Sequence, residues 1–82
     1  MLNIRLLFFA VLREIAGSSE KVITLPDGSR AGDVWQLLRS EHPELKDYIQ
    51  PPMIAVNETY VGVDTLLRDG DELAFIPPVA GG

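Results

Sequence analysis

The chain contains no cysteine and a single histidine, His42. Disulfides, thiolate nucleophiles and cysteine-based metal sites are therefore excluded, and one histidine does not form a histidine-rich metal site. No apolar run approaches the roughly 20 residues that span a bilayer. Arg5 interrupts the short apolar stretch near the N-terminus, which therefore lacks the layout of a signal peptide. We expect a cytoplasmic protein with no membrane contact and few side chains suited to catalysis.

Positive charge is also scarce. The chain has 12 acidic and 7 basic residues, which give a formal net charge of −5. Nucleic acids and anionic membranes would be repelled, so partners with basic surfaces are favoured. With 82 residues, 46% of them hydrophobic and 23% charged, the chain has the composition of one soluble globular domain with a modest core.

A first strand is predicted over residues 2–9 because apolar residues alternate there, with one face formed by Leu2, Ile4, Leu6 and Phe8. The opposite face begins with polar residues but continues with Leu7 and Phe9. Those two side chains are expected either to be covered by another element or to receive a partner. A short helix is predicted over residues 10–16, ended by Gly17.

The remaining elements follow from hydrophobic spacing and turn residues. A second strand is predicted over 20–25, and a helix is predicted from the apolar stripe of Ala31, Val34, Trp35 and Leu38. Ser29 is the predicted N-cap, and Pro43 ends the helix near Glu41. Trp35 is expected in the core and His42 in solvent. Residues 44–50 are predicted to form a polar turn or one loose helical turn, and three further strands are predicted over 53–56, 59–61 and 72–76.

An acidic cluster lies in the turn before the last strand, formed by Asp69, Asp71 and Glu72. It resembles a paired-carboxylate site, but no histidine or cysteine lies near it in the sequence. We therefore expect three solvated turn residues, available to meet a basic partner surface.

The order of elements predicts an α+β fold of the β-grasp type. The first two strands would pair antiparallel, the last strand would lie parallel beside the first, and one main helix would cover one face of a mixed sheet of four to five strands. The domain would span residues 1–76, followed by an extended tail over 77–82.

The tail consists of Pro77, Pro78, Val79, Ala80, Gly81 and Gly82. Two prolines stiffen the exit from the last strand, whereas the glycines lack a Cβ and lose the most freedom on ordering. This order suits a terminal carboxylate that must enter a narrow channel, and at about 3.1 Å per residue the tail reaches roughly 19 Å. The alternative is an expression remnant or simple fraying.

Several blocks of sequence together resemble the small, sulfur-carrying subunit of molybdopterin synthase, a ubiquitin-like family, over nearly the whole chain. The blocks are Leu7-Phe8-Phe9-Ala10 with Leu12-Arg13-Glu14, Ala55-Val56-Asn57, Leu67 with Asp69-Gly70-Asp71-Glu72, and Phe75 leading into the tail. The tail is the specific block. Arg30 is a departure, because relatives tend to place a hydroxyl residue near that position to cap the main helix.

The resemblance implies a mechanism centred on Gly82. An E1-like activating enzyme would use ATP to adenylate Gly82, and a sulfur donor would convert it to a thiocarboxylate. The tail would enter the large catalytic subunit and donate sulfur to cyclic pyranopterin monophosphate, forming the dithiolene. The chain would bind no cofactor and have no catalytic residue of its own, and the resemblance also implies a heterotetramer of two large and two small subunits.

The expected contact with the large subunit is an apolar surface on the outer face of the sheet, formed by Leu7, Phe9, Ala74 and Ile76. The alternative is that the short helix covers these residues. Other functions also remain open: a sulfur carrier for thiamine, for cysteine or for a tungsten form of the cofactor, a ubiquitin-like protein modifier, or an interaction module with an inert tail.

Overall fold

The computed structural model describes residues 1–47 and 52–76. The helices and strands, in chain order, are β1 (Leu2–Phe8), α1 (Val11–Ala16), β2 (Glu20–Leu25), α2 (Ala31–Glu41), a 3₁₀ turn (Pro43–Asp47), β3 (Met53–Val56), β4 (Thr59–Val61) and β5 (Glu72–Ile76). The predicted bounds are confirmed except at three places. β1 ends at Phe8 instead of residue 9, α1 begins at Val11 instead of residue 10, and the polar turn begins at Pro43, whereas the predicted end of that turn at residue 50 lies outside the described residues.

The strands form one mixed sheet in the order β2-β1-β5-β3-β4. β1 pairs antiparallel with β2 and parallel with β5, as predicted. β3 pairs antiparallel with both β5 and β4. This is the β-grasp arrangement, and it places β1 and β5 at the centre of the sheet, where their outer face is flanked on both sides by other strands.

The core lies between the inner face of the sheet and the apolar stripe of α2. Ile4, Leu6, Leu73 and Phe75 are completely buried on the sheet side, and the predicted stripe Ala31, Val34, Trp35 and Leu38 is buried on the helix side. The Trp35 and Phe75 rings lie 5.4 Å apart at a tilt of 47°. Since burying a large apolar side chain contributes about 1.5–3 kcal/mol, this packing fixes which face of β5 points inward.

The N-terminus of α2 differs from the prediction, because Arg30 rather than Ser29 occupies the N-cap position. The Ser29 hydroxyl donates to the Pro26 carbonyl (2.7 Å) inside the preceding turn. The Asp33 carboxylate instead accepts a hydrogen bond from the Arg30 backbone N–H (2.8 Å). The helix therefore begins without a hydroxyl cap, and the first-turn carboxylate satisfies this backbone donor.

Both helices end where the sequence predicts. Gly17 adopts φ 80° after α1, the left-handed conformation that favours glycine. α2 ends at Glu41, and the partly exposed His42 donates its backbone N–H to the Leu38 carbonyl (2.9 Å). Pro43 follows directly and prevents the helix from continuing.

Candidate docking site at the tail exit

The outer face of the two central strands carries the predicted apolar residues side by side. In the parallel register of β1 and β5, Leu7 lies opposite Ala74 and Phe8 opposite Phe75. Phe9 follows β1 directly, and Ile76 is the last residue of β5. Leu7, Ala74 and Ile76 are half-buried, and 45% of Phe9 is exposed. The structure thus brings these four residues together at the end of the sheet from which the tail leaves.

The short helix α1 does not cover Phe9. Its buried residue is Leu12, which belongs to the core, whereas Val11 remains exposed. Because 45% of Phe9 is exposed, the alternative in which α1 hides this side chain completely is not met.

The turn between β1 and α1 sets this arrangement. Ala10 adopts φ 52° and ψ −129°, an unusual conformation for a residue with a Cβ. The turn is closed by the Leu12 N–H, which donates to the Phe9 carbonyl (3.1 Å). Such a backbone costs on the order of 1–3 kcal/mol and is maintained only where the surroundings demand it. Here it directly follows Phe9, the first residue after β1, and turns the chain so that Leu12 enters the core.

Two exposed side chains that the sequence analysis missed extend the apolar surface. Met53 lies opposite Ile76 across β3 and β5, and 54% of it is exposed. Tyr60 lies opposite Ala55 at the β4 edge, and 62% of it is exposed. Ala55 is in turn paired with Ala74, so all these residues share one face. We call this surface the docking face: Leu7, Phe9, Met53, Ala55, Tyr60, Ala74 and Ile76.

An ion pair borders the docking face on the side away from the tail exit. Arg5 and Glu72 lie opposite each other in β1 and β5, and their side chains form a hydrogen-bonded salt bridge. The hydrogen bond and the charge of Glu72 raise the pKa of Arg5 above its usual value. Both side chains are accessible to water, so the pair stabilises the fold little. It gives the docking face a polar margin.

The acidic turn has a structural role that the sequence analysis did not predict. Asp71 is only 9% exposed, and its carboxylate accepts hydrogen bonds from the Arg68 backbone N–H (2.8 Å) and the Asn57 side-chain amide (2.9 Å). The prediction of three solvated acids is therefore wrong for Asp71. Asp69 remains exposed and accepts a hydrogen bond from the Asn3 N–H (2.7 Å).

Asn57 joins this turn to the start of β5. Its side-chain oxygen accepts from the Glu72 N–H (3.0 Å), and its own N–H donates to the Glu72 carbonyl (2.8 Å). Asn57 and Glu58 have φ of 51° and 70°, so they form the two-residue connection between β3 and β4. One residue thus holds the β3–β4 turn and the beginning of the strand that carries the tail.

Asn57→Ala is expected to lower the free energy of unfolding by about 2–4 kcal/mol. The change removes two side-chain hydrogen bonds, leaves Asp71 partly unsatisfied and places alanine at positive φ. Urea denaturation measures the loss. Asn57→Gly is the matched control, because glycine accepts the backbone conformation and lacks the side chain. It should therefore be more stable than Asn57→Ala only by the free energy of the strained backbone. Wild-type stability in Asn57→Ala would contradict the assigned role.

Within residues 1–47 and 52–76, no three His, Cys, Asp or Glu side chains are grouped to hold a metal ion. No helix in those ranges is long and apolar enough to cross a membrane.

The six tail residues, Pro77, Pro78, Val79, Ala80, Gly81 and Gly82, lie outside the described residues. Ile76, the last described residue before them, lies at the edge of the docking face.

Comparison with known proteins shows the family to which the chain belongs. The model of the ThiS family matches residues 6–82. The chain belongs to the ThiS family. Two curated relatives of this ThiS-family chain, both called molybdopterin synthase sulfur carrier subunit, are 37% identical in Chlamydomonas reinhardtii and 35% identical in Mycobacterium tuberculosis. These matches cover 99% and 100% of the chain, and all of each relative.

Two solved structures share the fold of this ThiS-family member. The putative molybdopterin converting factor subunit 1 from Pyrococcus furiosus has a TM-score of 0.83 and 31% identity, covering 96% of this chain and 100% of that one. The small archaeal modifier protein 1 from Methanosarcina acetivorans has a TM-score of 0.82 and 31% identity, covering 100% of this chain and 98% of that one.

Proposed function

We propose that this chain is the sulfur carrier of a molybdopterin synthase in the biosynthesis of the molybdenum cofactor. The observation that carries the proposal is the exposed apolar docking face, which ends where β5 leads into the Pro-Pro-Val-Ala-Gly-Gly tail. The names of the two full-length relatives support the same role. In this function the folded domain binds the partner and the tail carries the reactive group.

The proposed chemistry begins at the Gly82 carboxylate, which is a poor acyl donor. An E1-like enzyme transfers AMP from ATP to Gly82 and releases pyrophosphate. Sulfur from a donor displaces the AMP and leaves a thiocarboxylate. In the large catalytic subunit this sulfur passes to cyclic pyranopterin monophosphate. Because a dithiolene contains two sulfur atoms, carriers must deliver in turn, which suits a separate subunit that is recharged between deliveries.

The docking face accounts for the energetics of tail insertion. Ordering six tail residues costs on the order of 6–12 kcal/mol, at about 1–2 kcal/mol per residue. Burying the four larger side chains, Phe9, Met53, Tyr60 and Ile76, contributes at most a similar amount, at about 1.5–3 kcal/mol each. These side chains are already partly buried in the free domain, so docking of the body offsets part of the cost of threading the tail. The large subunit should present an apolar patch with basic residues around it, to match a carrier of net charge −5.

No side chain of this chain is assigned a catalytic role in the proposed complex. The groups that act on the pyranopterin belong to the large subunit, and the carrier supplies the sulfur and its position. We propose a heterotetramer of two large and two small subunits, acting in the cytoplasm where ATP supports reactivation of Gly82.

Reconstitution tests the proposed function. Thiocarboxylated protein, the large subunit from the same organism and cyclic pyranopterin monophosphate are combined, and dithiolene product is measured. We expect product in proportion to thiocarboxylate supplied and none with the carboxylate form. Carriers of the thiamine or cysteine pathways would fail to support this reaction, so absence of product with an active large subunit would overturn the proposal.

A protein modifier is the second candidate function, and the similarity to the small archaeal modifier protein 1 favours it. In that function Gly82 would form an isopeptide bond with a lysine of another protein. Mass spectrometry of the protein from its native cells separates the candidates. A terminus in which sulfur replaces one oxygen supports sulfur carriage, and a lysine-linked adduct supports conjugation.

A further inference from the structure

The docking face contains one sulfur atom, that of Met53. The chain has no cysteine and two methionines. Met1 is highly exposed at the N-terminus, whereas Met53 is 54% exposed at the start of β3. Met53 is therefore the oxidisable sulfur on the surface that the proposed function assigns to the partner.

Met53 occupies a sensitive position on this surface. It lies directly opposite Ile76, the last residue of β5 before the tail. Directly opposed residues of antiparallel strands have Cβ atoms about 4.5–5.5 Å apart, so the two side chains meet at the tail exit. The neighbouring Ile54 is buried in the core, which fixes Met53 on the outer side of the sheet. A chemical change at Met53 thus alters the docking face and leaves the core intact.

We propose that Met53 is a reversible oxidation site whose sulfoxide prevents docking, an inference that depends on the proposed function. A peroxide is the oxidant. The thioether sulfur attacks one peroxide oxygen, the O–O bond breaks, and that oxygen remains on sulfur while the other leaves as water or an alcohol. Methionine loses two electrons and the peroxide gains them. A methionine sulfoxide reductase with a thiol reductant removes the oxygen as water.

The sulfoxide weakens docking because it converts an apolar, adaptable side chain into a strongly polar one. In the free carrier water solvates the new S=O group, so the fold tolerates it. In the proposed complex the same group would be buried against the apolar patch of the partner and would lose its hydrogen bonds to water. The expected loss of affinity for the large subunit is about 10- to 100-fold, the range for burying an unsatisfied polar group.

The test compares the full-length wild type with Met53→Leu, each before and after treatment with hydrogen peroxide. Peptide mass spectrometry measures oxidation at both methionines, circular dichroism reports folding, and titration calorimetry gives the Kd for the large subunit. Leucine keeps the apolar volume and lacks sulfur, and Met1 is oxidised in both proteins. We expect peroxide to weaken the wild type about 10- to 100-fold and Met53→Leu by less than about twofold, and a methionine sulfoxide reductase to restore the wild type.

The outcomes distinguish this inference from the function on which it depends. Failure of untreated, folded wild type to bind an active large subunit overturns both. Normal binding before treatment, with unchanged Kd after stoichiometric Met53 oxidation, overturns only the oxidation site. The oxidation site is also overturned if peroxide lowers the affinity of Met53→Leu as much as that of the wild type. The same holds if Met53 resists peroxide while Met1 reacts.

Discussion

Deletion of Gly82 is expected to abolish sulfur delivery while leaving the folded domain and its docking almost unchanged. The deletion removes the proposed acyl group and shortens the tail by about 3.1 Å in extended conformation. Reacting atoms must approach to about 3–3.5 Å, so a terminus that stops one residue short does not reach the pyranopterin. Dithiolene formation should fall to the level seen without carrier, because no other group of the chain supplies sulfur.

Three measurements separate this result from a general defect. Urea denaturation of the deletion variant should match the wild type, and its Kd for the large subunit should change by less than about threefold, since the docking face is intact. Gly82→Ala is the matched control for length, because it keeps the reach and adds a Cβ. Partial delivery by Gly82→Ala with none by the deletion indicates that reach is decisive. Undiminished delivery after the deletion would instead indicate an inert tail.

The sequence predicts the fold well because local patterns of apolar residues determine most of its helices and strands. Alternation in β1 separates Leu6 and Phe8 from Leu7 and Phe9, and the stripe of α2 identifies the side of the helix that meets the sheet. The parallel pairing of β1 with β5 follows from the order of elements. Together these patterns are sufficient to predict that Leu7, Phe9, Ala74 and Ile76 share one face of the sheet.

The parts that the sequence analysis missed depend on contacts between distant residues. Met53 and Tyr60 join the docking face only because β3 pairs with β5 and β4 with β3, and a single short strand does not reveal its neighbours. Asp71 lies in an Asp-Gly-Asp turn that looks fully solvated. It is buried, and its carboxylate accepts a hydrogen bond from Asn57, 14 residues earlier in the chain.

The cap of α2 was missed for a different reason. Both Ser29 and Asp33 are suitable residues for a helix start, and local preference alone favours the hydroxyl. The Ser29 hydroxyl instead donates to the Pro26 carbonyl inside the preceding turn. Ser29 therefore does not cap the helix, and Arg30 occupies the N-cap position. The resulting error of one residue has no effect on the docking face, because α2 lies on the other side of the sheet.

Alanine substitutions at Phe9 and Ile76 are the second test with a large expected effect. Complete burial of each side chain contributes about 1.5–3 kcal/mol, and less than half of each remains exposed in the free domain, so each single substitution should weaken binding to the large subunit about 2- to 10-fold. Phe9→Ala should change stability little, because the ring is 45% exposed in the free domain. Ile76→Ala should lower it modestly, since this residue is half-buried.

Leu66→Ala is the matched control for these substitutions. Leu66 is 55% exposed, comparable to Phe9, but it lies beside Arg30 near the start of α2, away from the docking face. Titration calorimetry should show wild-type affinity for Leu66→Ala and weakened binding for Phe9→Ala, with urea denaturation confirming that both are folded. Equal affinities of the wild type, Leu66→Ala and Phe9→Ala for the large subunit would contradict the docking face. Because tail insertion depends on this contact, Phe9→Ala should also raise the carrier concentration needed for half-maximal dithiolene formation by a similar factor.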